Sequence, residues 1–400
     1  MLKKILVKFK KHSFVQKLYL IVFKLVSLIP KNKKLIMFES FLGKQYSCNP
    51  RAIYEYLLKE NVDYQMYWSI DPRYIHNFQE QNIKYIKRFS IKWLFLMAHA
   101  GYWVTNSRMP LWIPKPRNTV YLQTWHGTPL KRLAADMEEV HMAGTTTEKY
   151  KKDFHKESAN WDFLISPNEY STNIFKRAFN FHNTVIESGY PRNDYLYTNN
   201  NPEKTMKLKE KIGIPFDKKV LLYAPTWRDD QFNQNGHYEF NLELDIELLR
   251  EQLGDQYVIL LRTHYLIAAN LDLSIYNGFA YNVSQYNDIR DLYLISDLLI
   301  TDYSSVFFDF ANLKRPMIFY VYDIENYRDH LRGFYFDFEK KAPGPLVKTS
   351  EEVIETIKDM EREDFEMPSS FAEFYSRFCY LEKGISTKRV VHQVFQYKEK

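Results

Sequence analysis

The sequence predicts an α/β protein built as two Rossmann-like halves that face a central cleft. Three observations carry this. The chain has 400 residues, long enough for two domain cores. Short apolar runs alternate with helical patterns in two separate series, as they do in a parallel sheet covered on both faces. Between the series, at "YTNNNPEKTMKLKEKIGIPFDKK" (197–219), the pattern lapses into Asn, Pro and charge, which marks a domain boundary. The expected division is a basic segment over 1–34, a first half over 35–197, a linker over 198–218 and a second half over 219–400.

The basic segment comes first. Residues 1–34 hold ten lysines and no acid, and the rest of the chain holds 45 basic residues against 49 acidic ones. The net charge of +6 therefore belongs to one segment. Its lysines interleave with Leu, Ile, Val and Phe. The longest apolar stretch, Leu18 to Ile29, has 12 residues and contains Lys24, whereas a spanning helix needs about 20. Pro30 and three lysines follow, where a secretory signal would place small residues. The pattern predicts an amphipathic helix lying on an anionic membrane surface. A packing helix with a solvated lysine face is the plainer alternative. Nucleic acid is disfavoured because the segment is aliphatic and shows no base-stacking or groove-reading motif.

In the first half, "KLIMFES" (34–40) reads as a buried strand and "NPRAIYEYLLKE" (49–60) as a helix, with Asn49 as N-cap and Pro50 at its first position. Further strands are expected at 64–70, 101–106, 119–125, 161–167 and 184–190. In the second half strands are expected at 219–227, 257–264, 298–305 and 316–323, with helices at 288–296 and 306–313. Ligands of such sheets bind beyond the carboxyl ends of the strands.

Several classes are excluded. Cys48 and Cys379 form no disulfide framework and fit a reducing compartment. The sequence has no HExxH, no P-loop and no GxGxxG after the first strand. It also has no GxSxG elbow and no internal repeat.

The polar motifs lie at strand ends. His126-Gly127-Thr128 follows "TVYLQTW", with Lys131 and Arg132 close behind. "SGYPRND" (188–194) follows the strand at 184. "APTWR" ends in Arg228, and "YVILLRTH" ends in Arg262 and His264. Thr301-Asp302 and Ser304-Ser305 follow "LLI" and open a helix. A helix start with serine hydroxyls suits a phosphate, although serine caps any helix well. Asp309, one turn on, is placed to accept bonds from ribose hydroxyls; the plainer reading is a solvated carboxylate. A histidine ending a strand in each half suits proton transfer at working pH, and either one alone reads equally as a hydrogen-bonded structural residue. Two histidines, four cations and a helix start at one mouth point to chemistry on an anionic, phosphorylated substrate.

Taken together, "QTWHGTPLKRLAAD", "SGYPRND", "YAPTWRDD", "LLRTH" and "ITDYSSVFFDFANLKRPMIFYVYD" resemble the CDP-glycerol glycerophosphotransferase family of teichoic acid primases and polymerases, over roughly residues 35–380. The early "FESFLGKQYSCNPRAIYEYL" looks like its chain-extending branch. The resemblance implies a GT-B-like fold and a peripheral enzyme on the cytoplasmic face of the membrane. It implies CDP-glycerol as donor and an undecaprenyl-diphosphate-linked, glycerol-phosphate-primed disaccharide as acceptor. It further implies that His126 is the general base, taking the acceptor hydroxyl's proton as that oxygen attacks the β-phosphorus, and that His264 binds phosphate or assists departure of CMP. Ser304 and Ser305 would cradle the diphosphate with Arg228 and Arg262, while Lys131 and Arg132 would guide the polymer. No metal or other cofactor is called for. The family's long polymerases carry a further N-terminal domain, so the resemblance leaves open whether this chain polymerises or adds one or a few units. Three alternatives stay open: transfer of ribitol phosphate from CDP-ribitol, a nucleotide-sugar glycosyltransferase of the same architecture, and an inactive polyanion-binding protein.

Overall fold

The computed structural model describes residues 13–140, 144–226, 228, 242–263 and 273–395. Two fully parallel sheets form its frame. The first comprises β1 (Asn32–Glu39), β2 (Gln65–Ile70), β3 (Tyr85–Lys87), β4 (Ala100–Thr105), β5 (Val120–Gln123), β6 (Phe163–Ser166) and β7 (Thr184–Glu187), in the order β3-β2-β1-β4-β5-β6-β7. The second comprises β8 (Lys219–Ala224), β9 (Tyr257–Leu261), β10 (Ala280–Asn282), β11 (Leu298–Thr301), β12 (Met317–Tyr320) and β13 (Leu346–Val347), in the order β10-β9-β8-β11-β12-β13. Both orders reverse direction at one point, between β1 and β4 and between β8 and β11. That is the doubly wound arrangement, whose ligand crevice opens at the reversal.

Burial explains why these segments are strands. Every residue of β9, and of β11 and β12, is buried, as continuous apolar runs require when helices cover both faces. Apolar clusters lie on each side of each sheet. At about 25 cal/mol per Å² of buried apolar surface, these clusters are the main force holding each half together.

The helices that flank the two sheets include α1 (Ser13–Val26), α2 (Cys48–Lys59), α3 (Ile91–His99), α4 (Val306–Phe310) and α5 (Ser386–Phe395). Asn49 lies inside α2, behind the N-cap Ser47, not at the cap position expected for it. Its amide has another task, described below. The expected linker carries a helix, Pro202–Ile212, capped by the Asn201 side chain at the Lys204 N–H and closed by Gly213 at φ +83. Leu208 and Ile214 pack it into the core of the second half. The chain then crosses back at its end. Val390, Val391, Val394 and Phe395 of α5 are buried with Ile36, Phe38 and Tyr54 of the first half.

α1 is also part of the first half's core. Phe23 and Val26 are buried there, and the Tyr19 ring meets Trp112 edge-on at 5.5 Å. Its opposite side exposes Leu18, Ile21 and Leu25, followed by Leu28 at 80% exposure and Ile29. The neighbouring α3 adds Ile91, 76% exposed, and Phe95. Among the described residues no helix is long and apolar enough to cross a membrane.

Candidate active site

At the reversal point of the first sheet, three chain segments meet. Asn106, just after β4, donates from Nδ2 to Ser40 Oγ (3.1 Å) and accepts the Phe41 N–H on Oδ1 (2.8 Å). Its carbonyl oxygen lies 2.6 Å from His126 Nδ1, just beyond β5. A carbonyl only accepts, so Nδ1 carries the proton and the lone pair is on Nε2. The ring stacks on Trp125 (4.8 Å between centroids) and meets Phe41 edge-on (5.5 Å). Burial lowers its pKa to about 4, against the opposing effect of the Asn106 bond and with help from the nearby Arg192 cation. The imidazole is therefore neutral at working pH.

The reversal point of the second sheet supplies the facing surface. β11 ends at Thr301, and Ser304 and Ser305 lead into α4. Both serines are half-buried, and Ser305, although at the N-cap position, makes no side-chain cap bond. The two surfaces touch at Gly127. A Cβ placed there would lie 2.7 Å from Ser305 Oγ and 3.2 Å from Ser305 Cβ. Glycine is needed for close approach and not for its backbone freedom. His126 and Thr128 flank this contact, and Thr128 is buried.

The four predicted cations fall into three settings. Arg228 is buried and committed inside the second half, contrary to the expectation that it meets phosphate. It donates to Asp323 through Nε (2.7 Å) and Nη2 (2.9 Å), and through Nη1 to Asp302 (2.8 Å) and the Thr226 carbonyl (2.6 Å). Tyr303, Tyr322 and Tyr327 surround its guanidinium. Asp302 also accepts the Thr226 N–H (2.8 Å), and Thr301 Oγ1 donates to the Ala224 carbonyl (2.7 Å). These two residues tie β11 to β8 and are not presented to a ligand. Asp309 is likewise buried and bonded to Arg192 and Asn193, so it is not available to ribose.

Arg262 is different. Its Nη1 donates to the carbonyls of Val283, Ser284 and Tyr286 at 2.6 to 2.8 Å. No carboxylate pairs with it among the described residues. Burial lowers its pKa to about 10, against the opposing effects of Tyr293 and Asp288. A cation held this way beyond β9 favours an anion beside it. His264, two residues on, lies outside the described residues.

Lys131 and Arg132 belong to a strap between the halves. Lys131 bridges Phe334 in antiparallel fashion. The Tyr335 N–H donates to the Leu130 carbonyl (2.8 Å) and the Arg132 N–H to Gly333 (3.2 Å). The Lys131 ammonium sits over the Tyr327 ring at 5.9 Å, and Arg132 pairs with Glu138. The strap fixes the segment after His126 onto the second half.

Asn49, Asn106 and Arg192 lie at or behind the candidate site, where their positions in the sequence did not place them. Asn106 acts through its main chain, which leaves no trace in residue identity. Arg192 lies within the quoted "SGYPRND", and that motif was the available signal.

The family model for CDP-Glycerol:Poly(glycerophosphate) glycerophosphotransferase matches residues 21–396. The chain is 62% identical over 386 residues to a teichoic acid poly(glycerol phosphate) polymerase of Bacillus subtilis (strain 168), covering 96% of this chain and 52% of that protein. It thus spans about half the length of that relative. It is 59% identical to the protein of the same name from Bacillus spizizenii (strain ATCC 23059 / NRRL B-14472 / W23), covering 98% of this chain and 100% of the relative. A solved structure of the wall teichoic acid polymerase TagF, an H444N variant with CDPG, superposes with a TM-score of 0.88 at 42% identity, covering 99% of this chain and 97% of that one. The chain belongs to the CDP-glycerol:poly(glycerophosphate) glycerophosphotransferase family.

Proposed function

We propose that the chain transfers glycerol phosphate from CDP-glycerol to the terminal hydroxyl of an undecaprenyl-diphosphate-linked teichoic acid primer or chain, with release of CMP. The observation that carries this reading is the contact of the His126–Gly127 turn with Ser305. It sets a neutral imidazole beside a hydroxyl-lined helix start, across the junction of two doubly wound sheets.

In this reading Ser304, Ser305 and Arg262 hold the diphosphate of the donor. The acceptor oxygen attacks the β-phosphorus, and its proton passes to His126 Nε2. The bond from the β-phosphorus to the bridging oxygen breaks, and CMP leaves with the bridging oxygen and its electron pair. Asn106 keeps the Nδ1 proton in place, so Nε2 faces the reaction as an acceptor. Bound diphosphate adds negative charge beside the ring, which favours imidazolium as the proton arrives. The high identity to glycerol phosphate polymerases supports CDP-glycerol over CDP-ribitol and supports repeated addition.

The test is incubation of the protein with CDP-glycerol, CDP-ribitol or a UDP-sugar and a primed lipid analogue, reading nucleotide release and product length. CMP release from CDP-glycerol is expected. UDP release from the sugar nucleotide, with none from either CDP-polyol, would replace this reading with glycosyl transfer.

The pH profile gives a second expected result. The base must be unprotonated, so activity is lost as pH falls through its pKa. For the free protein kcat/KM should stay level down to roughly pH 5 and fall near pH 4. The acidic limb of kcat should lie at higher pH, because bound diphosphate raises the histidine pKa. A limb in kcat/KM near the ordinary histidine value of about 6.5 would contradict the buried, neutral ring.

The exposed side of α1 and α3 is proposed to rest on the anionic cytoplasmic membrane surface, next to the lipid-linked acceptor. Leu18, Ile21, Leu25, Leu28, Ile91 and Phe95 would enter the headgroup region. Lys17, Lys24 and Lys92, exposed on the same helices, would meet acidic lipid. Deleting residues 1–30 would strip Phe23 and Val26 from the core, so point variants are the cleaner test. Leu25→Glu with Leu28→Glu should weaken vesicle partitioning about 10²-fold, at roughly 1.5 kcal/mol per leucine removed from lipid. Activity on a soluble acceptor should persist. Unchanged co-sedimentation with anionic vesicles would contradict this surface.

A further inference from the structure

Behind His126, four side chains link the two halves. Asn49 is fully buried. Its Oδ1 accepts the Arg192 N–H (3.1 Å), and its Nδ2 donates to the carbonyls of Thr124 and Trp125 (3.1 Å each). Trp125 holds φ +50, a left-handed value that costs energy for a bulky residue and persists only when neighbours enforce it. Asn49 grips the main chain at that strained residue, directly before His126. The Arg192 side chain reaches the other way. Its Nη2 donates to both carboxylate oxygens of Asp309 (2.9 and 2.7 Å), and Nη1 donates to Cys48 Sγ (3.2 Å). Asn193 Nδ2 adds a bond to Asp309 (2.9 Å). Asp309 lies on α4, one turn beyond Ser305. The path Ser305–α4–Asp309–Arg192–Asn49–Trp125–His126 is thus continuous.

Burying an isolated ion pair costs about as much as it gains, so such a pair is a weak source of stability and is better suited to fixing geometry. We propose that Arg192 is a positioning residue: its ion pair with Asp309 and its main-chain bond to Asn49 fix the His126 turn against the Ser304–Ser305 helix start. This rests on the reading of His126 as the base. Arg192 is the charged side chain whose field acts on the His126 ring. Arg192 is itself faced by Asp309, Cys48 and Tyr190. Glu382, whose carboxyl burial pushes up to about 8, also lies within reach of Asp309 and Asp194.

The test uses the full chain carrying Arg192→Met, Arg192→Lys or Asp309→Asn, with His126→Ala alongside. Folding is checked by circular dichroism across the range used, and kcat, KM and the pH profile of kcat/KM are measured over about pH 3 to 8, so that a limb moving below pH 4 is read. Arg192→Met and Asp309→Asn should each lower kcat roughly 10- to 100-fold, as an ångström-scale misplacement does. Their acidic limbs should move in opposite directions. Loss of the cation moves the limb to higher pH, whereas loss of the carboxylate leaves Arg192 less compensated and moves it to lower pH. Arg192→Lys, which keeps the charge, should lose rate without moving the limb. A pair that only stabilises the fold would leave the kcat of each folded variant, Arg192→Lys included, near that of the unmodified protein. If Arg192→Met does not fold, the near-isosteric Asp309→Asn decides by the direction of its limb. Folded variants with kcat near that of the unmodified protein, or limbs that stay fixed or move together, overturn the proposal. An active His126→Ala variant overturns the base reading and this proposal with it. An inactive one beside fixed limbs overturns the positioning role alone.

Discussion

His126→Ala is expected to lower CMP release from CDP-glycerol about 10²- to 10⁴-fold, the usual contribution of a positioned acid or base. The ring is half-buried, and its one hydrogen bond among the described residues runs to the Asn106 carbonyl. Its removal leaves that carbonyl at the cleft without a donor and takes away the stacking partner of Trp125. Neither loss reaches the core of a sheet, so thermal unfolding should change little. Donor affinity measured by calorimetry should change less than roughly threefold, because a base acts on the transition state and not on ground-state binding. Turnover near that of the unmodified protein, in a folded variant, removes the role assigned to this histidine.

Gly127→Val should be nearly as damaging through sterics alone. The first side-chain carbon would meet Ser305 Oγ at 2.7 Å and Ser305 Cβ at 3.2 Å. With alanine, the serine hydroxyl can rotate away and the loss should be modest. With valine, the branched methyls leave no such escape, and the His126 turn and the start of α4 must part. A displacement of about 1 Å at reacting groups costs on the order of 100-fold in rate, so a kcat loss of that order is expected with the fold retained. The graded series, mild for alanine and severe for valine, distinguishes a cleft contact from loss of a flexible hinge, for which both would act alike. A valine variant with unimpaired kcat would mean that the two motifs do not need to touch.

What the sequence made legible follows from what leaves a one-dimensional trace. "KLIMFES" and "YVILLRTH" became β1 and β9 because strands buried on both faces must be apolar throughout. The edge strands β3, β10 and β13 went unread, being only two or three residues long, too short to show a period. His126 could be found because an imidazole at the end of an apolar run is conspicuous. Arg228, just past a strand, and Asp309, one turn into the helix after Ser305, were conspicuous by position too, and both are paired internally. A charged residue at a strand end looks the same in sequence whether its partner is a ligand or another part of the chain. Arg192 and Asp309 are 117 positions apart, and no local pattern joins them. α1 reads as amphipathic from its sequence. That it anchors itself with Phe23 and Val26 and leaves Leu25 and Leu28 outside depends on the surface it packs against.

In this reading the His126 turn and the Ser304–Ser305 helix start form one site around the donor's diphosphate. A crystal structure of the folded His126→Asn variant soaked with CDP-glycerol tests it most directly. The β-phosphate is expected within hydrogen-bond distance of the Ser304 or Ser305 hydroxyl, with Arg262 beside the diphosphate and position 126 facing the β-phosphorus. Nucleotide bound with its diphosphate away from both serines, or with position 126 turned from it, would show that the two motifs do not form one site.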